Sequence, residues 1–128
     1  MKNVIFKSLE YIYYFLLFVL LILYLFPGNI IAFFMNGELT QPFSSSKSYF
    51  ASLSHFFYFS CITFLAVIIK NKTNNILLNL NFIIFISIFL EITHIIIPNR
   101  YFEIYDLASN IIAVFTILLL KKIIRWQN

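Results

Sequence analysis

Four long apolar runs make up most of the chain; they cover residues 9–26, 49–69, 76–97 and 105–120, and segments of 22, 6 and 7 residues separate them. A bilayer core about 30 Å thick needs roughly 20 residues of helix, because a helix rises about 1.5 Å per residue. Pro27 and Gly28 end the first run, and Pro98 stops the third. The pattern therefore predicts an all-α, polytopic integral membrane protein with four transmembrane helices.

Composition agrees with this prediction. Of the 128 residues, 62% are hydrophobic and only 11% are charged, and the mean hydropathy is +0.92. A soluble domain of this length has too small a core to bury so much apolar surface. We therefore expect residues 1–128 to form a single transmembrane domain in a cell membrane. Cys61 has no partner for a disulfide and is interpreted as a packing residue.

The distribution of basic residues predicts an orientation. With four crossings, both termini and the loop at 70–75 share one side, whose basic residues are Lys2, Lys7, Lys70, Lys72, Lys121, Lys122 and Arg125. The other side holds Lys47 and Arg100. Because Lys and Arg concentrate in cytoplasmic loops, we expect both termini to lie inside the cell. The basic excess is thus a topology signal, and no basic stripe with interleaved aromatics indicates a nucleic-acid partner.

Six polar residues lie at one predicted depth: they are His55, Glu91, His94, Arg100, Asp106 and Asn110. At the outer face the second predicted helix begins, the third ends and the fourth begins. Glu91 and His94 are three residues apart, and Asp106 and Asn110 are four apart, so each pair shares a helix face. We expect an outward-facing polar site between these three helices.

The depth of Glu91 in the bilayer determines the free-energy cost of ionising its carboxyl group. Glu91 precedes Pro98 by seven residues, which places it about 10 Å below the end of the predicted helix. An isolated charged side chain at the bilayer centre costs about 2.5 to 3.5 kcal/mol on insertion scales. Glu91 must therefore be neutral, hydrated or paired, and the predicted partners are His94, His55 and Arg100.

The segment LEITHIIIPNRYFEIYDLASNIIA resembles the signature half of VanZ-like membrane proteins. A Glu is followed by a polar residue three positions on, a Pro, an Arg two positions later, and an Asp and an Asn four apart. Upstream, LFPG and SHFFYFSCITFLAV resemble the family's first-helix exit and its His-led second helix. The positions that match are His55, Glu91, Pro98, Arg100, Asp106 and Asn110.

The resemblance implies a role in the bacterial cell envelope. The family is named for an accessory protein of a glycopeptide-resistance cluster, which is linked to low-level teicoplanin resistance, and the family's biochemical activity is not established. Membrane lipid and a lipid-linked or phosphate-bearing envelope molecule are therefore the expected partners. No cofactor is expected, and the oligomeric state stays open.

Binding and catalysis are the two functional hypotheses for the polar site. In the binding hypothesis, Arg100 pairs with a phosphate or carboxylate, and the start of the fourth helix supplies backbone donors, although Asp106 opposes an anion there. In the catalytic hypothesis, Glu91 is a general acid or base, His55 or His94 is its partner, and Arg100 stabilises developing negative charge on an ester or phosphodiester. No nucleophile is evident from the sequence.

Two further interpretations of the same residues are a structural role and metal binding. In a purely structural reading, the polar side chains form a buried network that sets helix register and packing. A metal site is not predicted, because Glu91 and His94 form one Glu-x-x-His where di-metal bundles need two copies and further carboxylates. Zinc binding would require the fold to bring His55 to this pair.

Overall fold

The computed structural model describes residues 2–28, 30–37, 45–70 and 75–126, and all regular structure within these ranges is helical. The elements are α1 (Lys2–Leu25), α2 (Ile30–Asn36), α3 (Ser45–Lys70), α4 (Leu80–Thr93) and α5 (Ile104–Trp126). A single 3-10 turn, Ile76–Leu78, precedes α4. The predicted all-α class is therefore correct for the described residues.

Three described helices are long and apolar enough to cross a membrane: these segments are Val4–Leu25, Ser52–Lys70 and Ile104–Ile124. They correspond to the first, second and fourth predicted spans. α4 is also apolar, but it has only 14 residues, which gives about 21 Å of helix at about 1.5 Å per residue. The third predicted span is thus a shorter helix than expected.

The prediction of one continuous helix over 76–97 is wrong at both ends. At the start, the Asn75 side chain accepts the amide of Leu77, and the Asn79 side chain accepts the amide of Asn81. Each bond satisfies an amide that has no partner within its helix, so each Asn begins a new helical element. The apolar pattern does not reveal this break, because it continues through both elements.

α4 ends at Thr93 and not at Ile97, where the prediction placed the boundary. The amides of His94, Ile95 and Ile96 bond to carbonyls three residues back, which tightens the chain after the helix. Further on, Asn99 has φ of 58°, a left-handed conformation that Asn tolerates better than most residues. These turns direct the chain from α4 into α5.

α3 and α5 form the main pair of the bundle and run parallel, because Ser52 and His55 near the start of α3 contact Asp106 near the start of α5. α1 packs on α3 and α4 packs on α5, and each of these pairs is antiparallel. The buried apolar side chains that hold them together are Tyr13, Leu20, Tyr24, Phe59, Ile62, Ala66, Ile69, Leu78, Ile83, Leu90, Ala113 and Val114. Large apolar side chains such as Phe15, Phe18, Phe64 and Phe115 are exposed on the outside, as expected of a surface that lipid covers.

Hydrogen bonds identify which helix ends meet. At one end, the Tyr13 hydroxyl donates to the carbonyl of Leu77, and Asn75 donates to the Tyr14 hydroxyl at 2.7 Å. This end also contains Glu10, which accepts from the Tyr14 hydroxyl at 3.0 Å. The C-terminal end of α1 lies at the opposite end of the bundle, close to the start of α3 and of α5.

Part of the charge pattern falls outside the described residues. Lys72 lies in the segment 71–74, and the side chains of Lys2, Lys47 and Arg125 are also outside the description. Among the described basic side chains, Lys7, Lys70, Lys121 and Lys122 belong to the end that contains Glu10 and the 3-10 turn.

Candidate polar site between the helices

The six residues singled out from the sequence come together at one end of the bundle. His55 is on α3, Glu91 and His94 are at the end of α4, and Asp106 and Asn110 are on the first turns of α5. Glu91, His94, Asp106 and Asn110 are buried, and His55 is partly buried. Arg100 lies between α4 and α5 and also contributes to the cluster.

Glu91 and His94 form the first of two carboxylate–histidine pairs. Oε1 of Glu91 lies 3.2 Å from Nδ1 of His94. The same oxygen accepts the backbone amide of Glu103 at 3.2 Å. The fully buried Glu91 side chain therefore joins the end of α4 to the residue that precedes α5. A carboxylate at the start of a helix is also favoured by the helix dipole.

His55 and Asp106 form the second pair, which joins α3 to α5. Nε2 of His55 lies 3.8 Å from Oδ2 of Asp106. The Ser52 hydroxyl donates to Oδ1 of the same carboxylate at 2.5 Å. The side chains of His55 and Asp106 are 19% and 10% exposed, so this pair forms the accessible edge of the cluster.

Tyr24 of α1 lies between the two pairs. Its hydroxyl is 2.8 Å from Nδ1 of His55, and the Asn110 amide nitrogen donates to it at 3.0 Å. Its ring stacks on His94 with a centroid distance of 5.0 Å and an interplanar angle of 15°. The phenol thus contacts both histidines, one through its hydroxyl and the other through its face.

Tyr24 accepts one hydrogen bond and shares a second with His55. The amide nitrogen of Asn110 is only a donor, so the phenol oxygen accepts from it. The direction of the Tyr24–His55 bond follows the tautomer of His55: the phenol donates to Nδ1 when His55 carries its proton on Nε2, the nitrogen that faces Asp106. Asp106, His55 and Tyr24 thus lie in a row, with 3.8 Å between the carboxylate and the imidazole and 2.8 Å between the imidazole and the hydroxyl.

Arg100 brings a cation to the cluster and has no carboxylate partner there. Its Nη2 donates to the carbonyl of Leu23 on α1 at 2.7 Å. Among the described residues, neither ion pair includes Arg100. Burial lowers the pKa of its guanidinium, while Tyr24 and the nearby carboxylates oppose that shift. Arginine nevertheless stays charged in proteins, so the site contains a partly buried cation.

Four polar atoms of this cluster are buried without a hydrogen-bond partner within the described part of the chain. They are Oε2 of Glu91, Nε2 of His94, Oδ1 of Asn110 and Nε of Arg100. Most buried polar groups in proteins are hydrogen-bonded, and an unsatisfied one costs about 1 to 3 kcal/mol. This end of the bundle therefore holds several buried donors and acceptors that no described residue satisfies.

The binding hypothesis needs one change in detail. It assumed free backbone donors at the start of the fourth predicted helix, which is α5. The Glu103 amide at that position already donates to Glu91. The protein's own carboxylate therefore occupies part of the place expected for an external anion, whereas the guanidinium of Arg100 stays available.

The sequence interpretation missed Tyr24 and Ser52. Tyr24 stands three residues before Pro27 in a run of Leu, Ile and Phe, so the pattern treats it as one more apolar residue. Its position near the end of the first span, at the predicted depth of His55, could have identified it. The hydroxyl of a buried tyrosine usually has a hydrogen-bond partner, and His55 was a candidate. Ser52 carries no distinguishing pattern.

The side chains that could bind a metal ion are not grouped together within the described residues. No group of three or more His, Cys, Asp or Glu side chains there is placed to hold a metal ion. His55 pairs with Asp106 and His94 pairs with Glu91, with Tyr24 between them. The described geometry is that of two separate acid–base pairs.

Comparisons with known proteins give no relative: no family model matches the chain, and neither the curated proteins nor the solved structures contain a significant match.

Proposed function

We propose that the chain is a VanZ-like integral membrane protein of the bacterial cell envelope whose polar site binds a lipid-linked or phosphate-bearing envelope molecule. The observation that carries this proposal is Arg100, a partly buried cation with one backbone partner and an unpaired Nε in a cluster that also contains Tyr24, Glu91 and Asp106. Intramembrane ionisable groups usually mark function. Arginine also matches phosphate geometry better than any other side chain.

The proposed topology has four crossings with both termini in the cytoplasm. α4 crosses together with the 3-10 turn before it and the turn residues after it, and the bilayer thins locally around this short element. The site then faces outward, and a headgroup approaches along the edge formed by His55 and Asp106. A contribution to glycopeptide resistance, teicoplanin in particular, belongs to this proposal, and deletion followed by a susceptibility measurement tests it.

Removal of the cation tests the binding function. Wild type, Arg100→Gln and the control Lys70→Gln are purified in mild detergent, and co-purifying molecules are identified by mass spectrometry. Lys70 donates to Asn79 at the other end of the bundle, so its loss also removes one cation. We expect wild type and Lys70→Gln to retain a phosphate-bearing molecule that Arg100→Gln loses. Retention by a folded Arg100→Gln protein, or no such molecule in wild type, contradicts the proposal.

Catalysis on a lipid-linked ester or phosphodiester is the second candidate. The row Asp106, His55, Tyr24 favours it, because the carboxylate lies 3.8 Å from the imidazole, and the imidazole lies within hydrogen-bond distance of the hydroxyl and in its Nε2-protonated form accepts the hydroxyl proton. Tyr24 would then supply the hydroxyl group that the sequence did not identify. Product formation from a lipid-linked phosphodiester that depends on both Tyr24 and His55 would support catalysis over binding alone.

A further inference from the structure

The unpaired atoms of the site are mostly acceptors. The Glu103 amide donates to Oε1 of Glu91, so this carboxylate oxygen is an acceptor, and Nδ1 of His94 donates its proton to the same oxygen. Nε2 of a neutral His94 is then an acceptor. Oε2 of Glu91 and Oδ1 of Asn110 are acceptors as well, and all three are unpaired.

Two of the residues that carry these acceptors contact Tyr24, and the third is hydrogen-bonded to one of them. The Asn110 amide contacts the hydroxyl of Tyr24, the His94 ring covers one face of its ring, and Glu91 is bonded to His94. Glu91, His94 and Asn110 are 0%, 3% and 0% exposed. The unpaired donor, Nε of Arg100, belongs to a side chain that reaches the carbonyl next to Tyr24 on α1. Three acceptors and one cationic donor therefore flank Tyr24.

An anion by itself does not satisfy this set. It would pair with Arg100, but the carboxylates of Glu91 and Asp106 would repel it, and the three acceptors would stay unpaired. A primary ammonium carries three N–H donors and a positive charge. Its three donors can pair with the three acceptors, and its charge is attracted to the carboxylate that carries one of them.

We propose that the ligand is zwitterionic, with a primary ammonium bound by Glu91, His94 and Asn110 and a neighbouring phosphate bound by Arg100. An ethanolamine phospholipid headgroup has this chemistry. This inference rests on the proposed function, that the site binds a lipid-linked or phosphate-bearing molecule, and it adds the class of headgroup. Choline phospholipids carry the same charges but no N–H donor, which makes them the discriminating comparison.

The test measures lipid binding to the full chain by native mass spectrometry. The probes are ethanolamine, choline and glycerol phospholipids with identical acyl chains. We expect wild type to bind the ethanolamine lipid about tenfold more tightly than the choline lipid, because hydrogen bonds to charged groups are stronger than neutral ones. Glu91→Gln should abolish this preference, since Gln retains an acceptor for the Glu103 amide but replaces the unpaired acceptor Oε2 with an amide nitrogen that only donates.

Glu10→Gln is the matched control, because Glu10 is a carboxylate that accepts a side-chain hydrogen bond at the other end of the same bundle. It should keep the full preference for ethanolamine. Equal binding of the ethanolamine and choline lipids by wild type overturns the inference. So does a preference that Glu91→Gln retains or that Glu10→Gln loses.

The two proposals fail differently. If the glycerol lipid binds as tightly as the ethanolamine lipid and only Arg100→Gln weakens both, the site binds phosphate and the ammonium inference is wrong. If neither Arg100→Gln nor Glu91→Gln changes the binding of any lipid, both proposals are wrong. Soluble phosphoethanolamine separates the sources: its competition with the ethanolamine lipid supports a free headgroup as ligand, and its failure to compete supports a lipid.

Discussion

The Tyr24 hydroxyl lies 2.8 Å from Nδ1 of His55, although the two residues are 31 positions apart in the chain. This hydrogen bond joins the C-terminal part of α1 to α3. It also places one phenol between two carboxylate–histidine pairs, because the other side of the same ring stacks on His94. Tyr24 is therefore the residue through which α1 takes part in the site.

Removal of the Tyr24 hydroxyl should destabilise the protein. Tyr24→Phe keeps the ring and its contact with His94 but leaves Nδ1 of His55 and the Asn110 amide without their partner. We expect a loss of about 1 to 3 kcal/mol in the free energy of unfolding, measured by thermal or denaturant unfolding in detergent. Tyr11→Phe is the control, because Tyr11 is 73% exposed. Equal stability of the two variants would show that the hydrogen bonds of Tyr24 contribute nothing.

Tyr24 and Asn110 should be energetically coupled. The Asn110 amide donates to the Tyr24 hydroxyl, so either single substitution removes the same bond. In a double-mutant cycle of Tyr24→Phe and Asn110→Ala, we expect a coupling energy of about 1 kcal/mol. The same cycle with Tyr58→Phe in place of Tyr24→Phe should be additive, because Tyr58 donates to Leu16 and not to Asn110. Additivity in both cycles contradicts the described contact.

Glu103 should make stability depend on pH. Burial raises the pKa of its carboxyl, and repulsion from Asp106 and Glu91 raises it further. A carboxyl with a raised pKa in the folded state favours folding while it is protonated, and this contribution is lost as the pH rises through the folded-state value. Glu103→Gln should therefore melt at a higher temperature than wild type near pH 8 and at a similar temperature near pH 4. A difference independent of pH would exclude ionisation of Glu103 as its cause.

Thiol labelling should test the proposed orientation. In a Cys61→Ser background, Tyr101→Cys places a thiol between α4 and α5, and Lys122→Cys places one near the end of α5. Both positions are exposed. A membrane-impermeant thiol reagent added to intact cells should label the first variant and label the second only after lysis. The reverse pattern would place both termini outside the cell.

The all-α fold class and the position of the polar residues at one end of the bundle follow from the sequence alone. Helical rise per residue converts position along an apolar run into depth, and an antiparallel order brings the end of α4 and the starts of α3 and α5 to one level. His55, Glu91, Asp106 and Asn110 are consequently close together as expected. Family membership, orientation and the use of the site are predictions that neither the helices nor the comparisons test.

Only the tertiary structure decided which polar atoms pair. Depth does not specify how each helix is rotated about its axis, and rotation determines that Tyr24 faces His55 and Asn110. The break at Asn79 and the end of α4 at Thr93 also could not be predicted from the sequence. The apolar pattern continues through both positions, and the helix boundaries there depend on single capping and turn hydrogen bonds. The apolar runs thus determined the helices and the level of the polar residues along the bundle, whereas directional hydrogen bonds between helices determined the site.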